Sequence, residues 1–374
     1  MADHHPEHAA DVTARCAAAP GTPGHMAAVR FSSLGDVILT TGPLLWWHER
    51  CGTTFTVITK ENFAPVFSGH PAVTSVITIG SAEKTAGAFM TFCREMAGRF
   101  KGLPLVDLHG SIRSRLLSLF WKGEVFRYPK MAMQRRLFLL SHGHAFKSRL
   151  QSSHVTLRYA AAIPPDVIWD RAHADARQTG AEKRIALPCH ADVKPRVFLS
   201  REENEKAASL LGAKRKRRVV LHPYARHMAK SWSMETWAEL ARCLSPEYDI
   251  VWVGLGTPPE NAPGLCLVNR TDLRTLAAVI AGCDLIVTGD SGPMHMAAAV
   301  GTPIVALFGP TCLEWGFYPG GRNVRILQHD MPCRPCSLHG NARCRRDFAC
   351  LKEITVAEAA DAARSLLDTP KDTQ

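Results

Sequence analysis

The segment from Thr288 to His295 carries the strongest chemical signal in the chain. It reads Thr-Gly-Asp-Ser-Gly-Pro-Met-His and follows an apolar run that is typical of a buried strand. Ser291 is a good helix N-cap, and Pro293 suits a first helical turn. A helix that begins after a strand offers unpaired backbone N–H groups and the positive end of its dipole to an anion. The pattern favours a phosphate site, although an ordinary strand–turn–helix connection would look the same.

Two other segments place charged side chains where a strand gives way to a helix. Lys230 and Arg226 lie in the loop after a strand that ends at His222, where they could hold a phosphate or simply face solvent. Asp36 closes Ser32-Ser-Leu-Gly-Asp36 after the first apolar run. A carboxylate at such a turn can act as a general base, or it can merely favour the helix dipole.

Four of the twelve cysteines form a cluster with the spacing Cys333-x2-Cys336-x7-Cys344-x5-Cys350. Four thiols at this spacing suit a tetrahedral zinc ion or an iron–sulfur cluster. Disulfides or free thiols are the alternatives. A metal held by all four would be structural, because a closed shell of thiolates leaves no open position for a substrate. The other eight cysteines are scattered and are expected to be buried free thiols.

The elements that must position these residues alternate between strand and helix. Apolar or β-branched runs predict strands at 27–31, 54–59, 73–79, 105–109, 125–128, 218–222, 249–254, 284–288 and 303–308. Helical spacing predicts helices at 82–100, 114–121, 233–244, 271–281, 292–300 and 356–367, another headed by Ser200, and a helix-rich stretch over 130–163. A helix after Asp36 is also expected, and Pro43 should kink or split it.

A proline-containing stretch over 164–195 divides this alternation into two runs. The sequence therefore predicts an α/β protein with two doubly wound parallel-sheet domains. We expect a flexible tail at 1–26, an N-terminal domain at 27–190, a C-terminal domain at 191–352 and a final helix and tail at 353–374. Ligands of such sheets bind beyond the carboxyl ends of the strands, so the cleft between the domains is the expected site.

The composition fits this picture. The chain has 374 residues, 46% of them hydrophobic, which is enough for sizeable cores. It carries 45 Lys and Arg against 34 Asp and Glu, a net charge of +11 that favours anionic partners such as nucleic acid, phosphorylated substrates or an anionic membrane. No stretch of about 20 continuous apolar residues and no secretory signal are found. A cytoplasmic protein is expected, with recruitment to a membrane surface as an option.

Several other interpretations of these motifs fail. Gly289-Asp-Ser-Gly-Pro293 has the letters of a serine-protease nucleophile segment, but those enzymes are all-β. No Walker A sequence occurs, and Gly254-Leu-Gly256 lacks the third glycine of a dinucleotide fingerprint. That deficiency, together with the absence of a Tyr-x-x-x-Lys pair, disfavours a nucleotide-sugar epimerase.

Three segments together resemble glycosyltransferase family 9, the ADP-heptose:lipopolysaccharide heptosyltransferases. They are Arg30-Phe-Ser-Ser-Leu-Gly-Asp-Val37, Ala229-Lys-Ser-Trp232, and Thr288–His295 continuing to Phe308-Gly-Pro-Thr311. The resemblance implies a GT-B fold, in which two Rossmann-like domains face each other across a cleft. It also implies inverting transfer of heptose from ADP-heptose to a lipopolysaccharide core at the inner face of the cytoplasmic membrane, with no cofactor required for catalysis and no nucleic acid bound.

Position by position, the resemblance implies roles for particular residues. Asp36 matches the family's base, and Lys230 matches the lysine on the donor diphosphate. His109 and Arg113, within Asp107-Leu-His-Gly-Ser-Ile-Arg113, match the acceptor-side loop. The implied nucleotide-sugar residues are Ser32, Ser33, Thr288, Gly289, Asp290, Ser291, Gly292, His295 and, more weakly, Glu260.

The chain departs from the family pattern beside the expected diphosphate. Ser231 stands where the family often has arginine, and Tyr224 stands where it usually has glycine, so a different nucleotide sugar is an alternative donor. A nucleic-acid-binding protein is the alternative from another class. Its support is the basic run Lys214-Arg-Lys-Arg-Arg218 and the arginines around the cysteine cluster.

Overall fold

The computed structural model describes residues 24–167, 187–225, 230–338, 340 and 344–368. The predicted tail at 1–26 lies almost wholly outside these residues, as do Arg226, Ala229 and part of the 164–195 linker. Within them, the chain forms two parallel sheets flanked by helices. This is the predicted α/β architecture of two doubly wound domains.

The first sheet has five strands in the order β3-β2-β1-β4-β5, and every pairing is parallel. Its strands are β1 (His25–Val29), β2 (Thr54–Lys60), β3 (Val73–Ile79), β4 (Leu105–Asp107) and β5 (Val125–Arg127). Its helices are α1 (Leu34–Cys51), α2 (Ala86–Arg99), α3 (Ile112–Phe120), α4 (Ala132–Ser141), α5 (His144–Gln151) and α6 (Val155–Ala160). The central strand β1 is buried along its whole length, because helices cover both faces of a parallel sheet.

The second sheet has six strands in the order β11-β10-β9-β6-β7-β8, again all parallel. Its strands are β6 (Arg218–His222), β7 (Asp249–Trp252), β8 (Leu265–Cys266), β9 (Leu285–Gly289), β10 (Ile304–Leu307) and β11 (Val324–Leu327). Its helices are α7 (Arg201–Leu211), α8 (Met234–Leu244), α9 (Leu273–Ala281), α10 (Gly292–Val300), α11 (Ala349–Lys352) and α12 (Val356–Asp368). Ser200 and Ser233 cap α7 and α8 with their hydroxyls, as their positions predict.

We expected Pro43 to kink or split the first helix. The prediction that it splits the helix is wrong. α1 runs unbroken for 18 residues with Pro43 inside it. Burial explains the continuity, because Gly42, Pro43 and Leu44 are all buried. An added Cβ on Gly42 would lie 2.2 Å from the carbonyl oxygen of Val193. Tertiary packing therefore holds this turn in place despite the hydrogen bond that proline removes.

The two domains meet where α1 approaches α10 and α6 approaches the segment after β10. The backbone N–H of Val155 donates to Gly316 O at 3.0 Å, and the Nε2 of His154 lies 2.7 Å from Tyr318 O. The β8 and β11 strands were not predicted: β8 has two residues, and β11 is only partly buried at the sheet edge. In the part of the chain described, no helix is both long enough and apolar enough to cross a membrane.

Candidate active site

Asp36 lies in the first turn of α1, just beyond the carboxyl end of β1. Its Oδ1 accepts from Arg30 Nη2 at 2.6 Å and from the Tyr159 hydroxyl at 3.1 Å. Its Oδ2 accepts from the backbone N–H and the hydroxyl of Ser33, at 3.1 and 2.7 Å. Four donors thus converge on one carboxylate, which is the full acceptor capacity of such a group.

This arrangement keeps Asp36 ionised. Burial alone would raise the pKa of its carboxyl, but the adjacent Arg30 charge and the Ser33 hydrogen bonds outweigh burial and lower that pKa to about 2. The carboxylate is therefore deprotonated, as a general base must be, but it is a weak proton acceptor while all four donors are in place. To accept a proton it must give up one of these donors.

Lys230 lies across the cleft from Asp36, beyond the carboxyl end of β9. Its ammonium group contacts Asp290 Oδ2 at 2.6 Å, and Thr311 donates to the same oxygen at 2.9 Å. Both charged side chains are only 15% exposed. Gly289 permits this arrangement, since an added Cβ there would lie 2.6 Å from the carbonyl oxygen of Lys230.

A hydroxyl–imidazole network shapes the loop between β9 and α10. Thr288 is fully buried, and its Oγ1 lies 3.1 Å from both His222 Nδ1 and Ser291 Oγ. Burial lowers the pKa of His222 to about 4, so its ring is neutral. Ser291 makes no side-chain cap to α10. Thr288 therefore positions Ser291 from within the core, and the α10 N-terminus keeps backbone N–H groups for an anion.

The N-termini of α1 and α10 approach each other across the cleft at two glycines. An added Cβ on Gly35 would lie 2.4 Å from His295 Cδ2, and one on Gly292 would lie 2.7 Å from Leu34 Cδ2. His295 is buried, and its pKa is lowered by that burial. The Asp36 side of the cleft and the 288–295 loop are thus neighbours in space, as their positions at strand ends predict.

The predicted acceptor-side residues line a separate pocket of about 260 Å³ in the N-terminal domain. Its walls are formed by Phe31, Ser32, Lys60, Ile79, His109, Ser111 and Arg113. Buried Asp107 shapes the loop, because its carboxylate accepts from the backbone N–H groups of His109 and Gly110. Burial, reinforced by nearby Arg30, lowers the pKa of His109 to about 3. Ser32, which the resemblance assigned to the nucleotide sugar, lines this pocket.

Glu260 is exposed in the loop after the carboxyl end of β7, and Tyr224 follows the carboxyl end of the neighbouring parallel strand β6. The Tyr224 ring fills the space over Gly254 and Gly256, where an added Cβ on either glycine would lie 2.4 Å from a ring carbon. Its hydroxyl donates to Thr257 O at 2.6 Å. The tyrosine that departs from the family pattern therefore packs against the loop that contains Glu260.

The four clustered cysteines do come together. Cys333, Cys336, Cys344 and Cys350 line one pocket of about 10 Å³. Burial and the neighbouring thiols raise the pKa of Cys336 to about 11. Even so, among the described residues no three His, Cys, Asp or Glu side chains are arranged to hold a metal ion. The eleven cysteines described are free thiols, so the disulfide alternative is not observed.

The basic run before β6 is used within the fold. Lys214 pairs with Asp284 at 2.7 Å, and Lys216 Nζ donates to the carbonyls of Ser245 and Pro246. Buried Arg218 donates to the carbonyls of Leu211 and Gly212. Lys214, Arg215, Lys216 and Arg217 nevertheless remain exposed. The internal partners of Lys214 and Lys216 therefore reduce, but do not remove, the support that this run gives to a nucleic-acid interface.

Two parallel-sheet α/β domains that face each other across a cleft form the GT-B fold of glycosyltransferases. The chain belongs to glycosyltransferase family 9 (heptosyltransferase), whose model matches residues 137–343. Family and fold class are thereby confirmed.

Known proteins similar to this chain agree with that assignment. Lipopolysaccharide heptosyltransferase 1 of Pseudomonas aeruginosa is 29% identical over 82% of this chain and 84% of its own length. Lipooligosaccharide heptosyltransferase 2 of Campylobacter jejuni is 30% identical over 37% of this chain, and the match spans about half (47%) of that relative. The solved structure of Escherichia coli ADP-heptose lps heptosyltransferase II has a TM-score of 0.62 at 21% identity, covering 92% of this chain and 98% of that one.

Arg30, Tyr159 and Thr311 are site residues that no sequence pattern indicated as such. Arg30 and Thr311 lie in the family-like segments, but nothing in their residue types marked them as partners of Asp36 and Asp290. Tyr159 lies 123 residues further along the chain and reaches Asp36 only through the packing of α6 on α1.

Proposed function

We propose that this chain transfers a heptose from ADP-heptose to a lipopolysaccharide-core acceptor, with inversion at the anomeric carbon. The observation that carries the proposal is the pairing of two strand-end sites across one cleft. Asp36 lies at the start of α1, Lys230 and the α10 N-terminus lie opposite, and Gly35 and His295 are in contact between them. A base and an anion site on opposite walls are what an inverting displacement requires.

Each residue then has a chemical task. The acceptor hydroxyl loses its proton to Asp36 as it attacks the anomeric carbon. The bond to the ADP oxygen breaks, and the diphosphate gains negative charge that the Lys230 ammonium and the α10 N–H groups stabilise. The acceptor enters from the pocket around His109 and Arg113. We place this reaction at the inner face of the cytoplasmic membrane.

Lys230→Ala is the sharpest test of the anion site, because the chain contains a matched control. Lys214 forms the same kind of pair with Asp284 at the opposite end of β9. Lys230→Ala should lower kcat/KM by roughly 10²-fold or more, whereas Lys214→Ala should leave it nearly unchanged. Equal effects of the two substitutions, with both proteins folded, would remove Lys230 from the reaction.

A donor screen tests the substrate. ADP-heptose should raise the melting temperature more than UDP- or GDP-sugars, because binding to the native state stabilises it by mass action. The position of Tyr224 over the Gly254–Gly256 loop is the feature that favours a different nucleotide sugar. Stronger stabilisation by another nucleotide sugar would replace ADP-heptose in the proposal.

We also propose that the four clustered cysteines hold a structural zinc ion or iron–sulfur cluster. The support is the convergence of the four thiols on one small pocket. A bound cation would favour the thiolate forms of these side chains. The thiols would need to shift to ligate it, and no step of the transfer depends on it.

A further inference from the structure

Positive charge and exposed apolar side chains are concentrated in the same short part of the N-terminal domain. Residues 111–151 contain nine Lys and Arg and one acidic residue, Glu124, so they supply eight of the eleven net positive charges. Seven large hydrophobic side chains are exposed in the described part of the chain, and five of them lie in this segment. They are Ile112, Leu119, Met133, Leu137 and Leu140.

The helix periodicity arranges these residues into two similar faces. On α3, Ile112, Arg115 and Leu119 follow at i, i+3 and i+7, so they share one side of the helix. On α4, Met133, Arg136, Leu137 and Leu140 share a side in the same way. Ile112, Leu119, Met133 and Leu140 are 71–87% exposed. Each helix therefore presents apolar side chains with an arginine between them; we call the two together the α3–α4 face.

The two helices begin close together, beside the acceptor pocket. Lys130 Nζ donates to Gly110 O at 3.0 Å, which ties the approach to α4 to the residue before the α3 N-cap. Arg135 of α4 donates back to Lys130 O at 3.1 Å. His109, Ser111 and Arg113 of the same loop line the pocket. The α3–α4 face thus flanks the pocket mouth.

We propose that the α3–α4 face docks the N-terminal domain onto an anionic lipid bilayer. The leucine, isoleucine and methionine side chains enter the boundary between headgroups and acyl chains, and the arginine side chains extend to the lipid phosphates. A second copy of the chain is the less suitable occupant. The centre of a protein interface is depleted of charge, and a symmetric pairing would bring two strongly basic segments together.

Docking here would place the acceptor pocket next to the membrane. This consequence rests on the proposed function, in which the acceptor is a membrane glycolipid. Binding to lipid does not depend on that function, so the two can be tested separately.

Vesicle flotation of the full chain tests the face. Wild-type protein should float with phosphatidylcholine vesicles that contain phosphatidylglycerol, float poorly with phosphatidylcholine alone, and be released as salt rises from about 0.05 M to about 1 M, where screening is strong. Leu140→Glu and Arg136→Glu should each weaken binding to the anionic vesicles by about tenfold or more. Leu187→Glu and Arg201→Glu, at exposed positions outside the face, should bind as wild type does.

The controls keep the outcomes distinct. Unchanged ADP affinity in the Leu140→Glu protein will show that it is folded. Three results would overturn the proposal. Wild-type protein does not bind anionic vesicles, the variants in the α3–α4 face float as well as the control variants, or light scattering shows a dimer that Leu140→Glu dissociates. If the chain floats as expected but transfers no heptose, the proposed function is refuted and the membrane-docking role of the α3–α4 face is retained.

Discussion

Replacing Asp36 with asparagine separates the two roles that its position allows. As a base, Asp36 must accept a proton during the transfer. As a helix-start residue, it need only satisfy Ser33 and the dipole of α1. The structure adds a third role, because Asp36 is the charge partner of buried Arg30, whose side chain is only 8% exposed.

The magnitude of the stability effect follows from that pair. The pKa of Asp36 is displaced from 3.8 to about 2, which corresponds to about 2 kcal/mol of folding free energy near pH 7. Removing one partner of a buried ion pair typically costs about 3–5 kcal/mol, because the other charge is left uncompensated. Asp36→Asn should therefore lower the unfolding free energy by about 2–5 kcal/mol. It should also lower kcat by about 10²–10⁴-fold if Asp36 is the base.

Loss of stability alone cannot identify the base, so a matched variant is needed. Arg30→Gln breaks the same ion pair but leaves the carboxylate in place. It should be destabilised by a similar amount, and its turnover should fall by less than about tenfold, since a less depressed pKa makes the carboxylate a better proton acceptor. Turnover, ADP-heptose affinity and unfolding free energy should be measured on both proteins under conditions in which each is folded.

The pattern across the two variants decides the question. Low turnover in Asp36→Asn and near-normal turnover in Arg30→Gln support the base. If both variants lose turnover in proportion to their loss of stability, or if Asp36→Asn turns over normally, Asp36 is a structural residue and the mechanism lacks its base.

Asp36, Gly35 and the clustered cysteines each carry a further prediction. Because the pKa of Asp36 is lower in the folded than in the unfolded chain, the stability gap between wild type and Asp36→Asn should be complete above about pH 4 and shrink as the pH falls toward 2, as measured by denaturant unfolding across that range. Gly35→Ala should reduce turnover by wedging the helix ends apart at His295, whereas Gly87→Ala in the first turn of α2, with no atom within 4 Å of the added Cβ, should not. Purified protein should carry about one zinc ion or iron–sulfur cluster per chain. Cys336→Ser should release it and lower the melting temperature, while kcat of the protein that remains folded changes little. Metal-free protein with four titratable thiols would contradict this prediction.

Local patterns were enough to predict the sheets and the places where chemistry occurs. Three elements were predicted with their observed bounds, each from a local signal. β6 is a buried apolar run, β3 is a β-branched run at the sheet edge, and α10 begins after Ser291 and ends at Gly301. Since ligand sites of parallel sheets lie at carboxyl strand ends, the same patterns placed Asp36, Lys230 and the 288–295 loop near one cleft. The edge strands β8 and β11 gave weaker signals because β8 has only two residues and β11 has four, one of them the exposed Arg325.

Contacts between distant parts of the chain could not be predicted in this way. Tyr159 reaches Asp36 because α6 packs on α1, and no spacing within either helix reports that packing. Pro43 shows the converse, since a local rule predicted an interruption that burial of the surrounding turn prevents. The basic run at 214–218 is exposed except for Arg218. Its internal partners, Asp284 and the carbonyls at 245–246, could not be predicted because they lie far away in sequence.

A cation on each wall of the cleft has a carboxylate partner. Arg30 pairs with Asp36 and Lys230 pairs with Asp290, so neither cation is left without a counter-charge. An unpaired charge at these depths would be costly. A diphosphate that arrives at Lys230 can share its ammonium with Asp290, whose oxygen keeps the hydrogen bond from Thr311. In the proposed transfer, the ammonium would move further toward the diphosphate as the leaving group gains charge. Lys230 would then stabilise the transition state more than the bound donor, and only such a difference accelerates the chemical step.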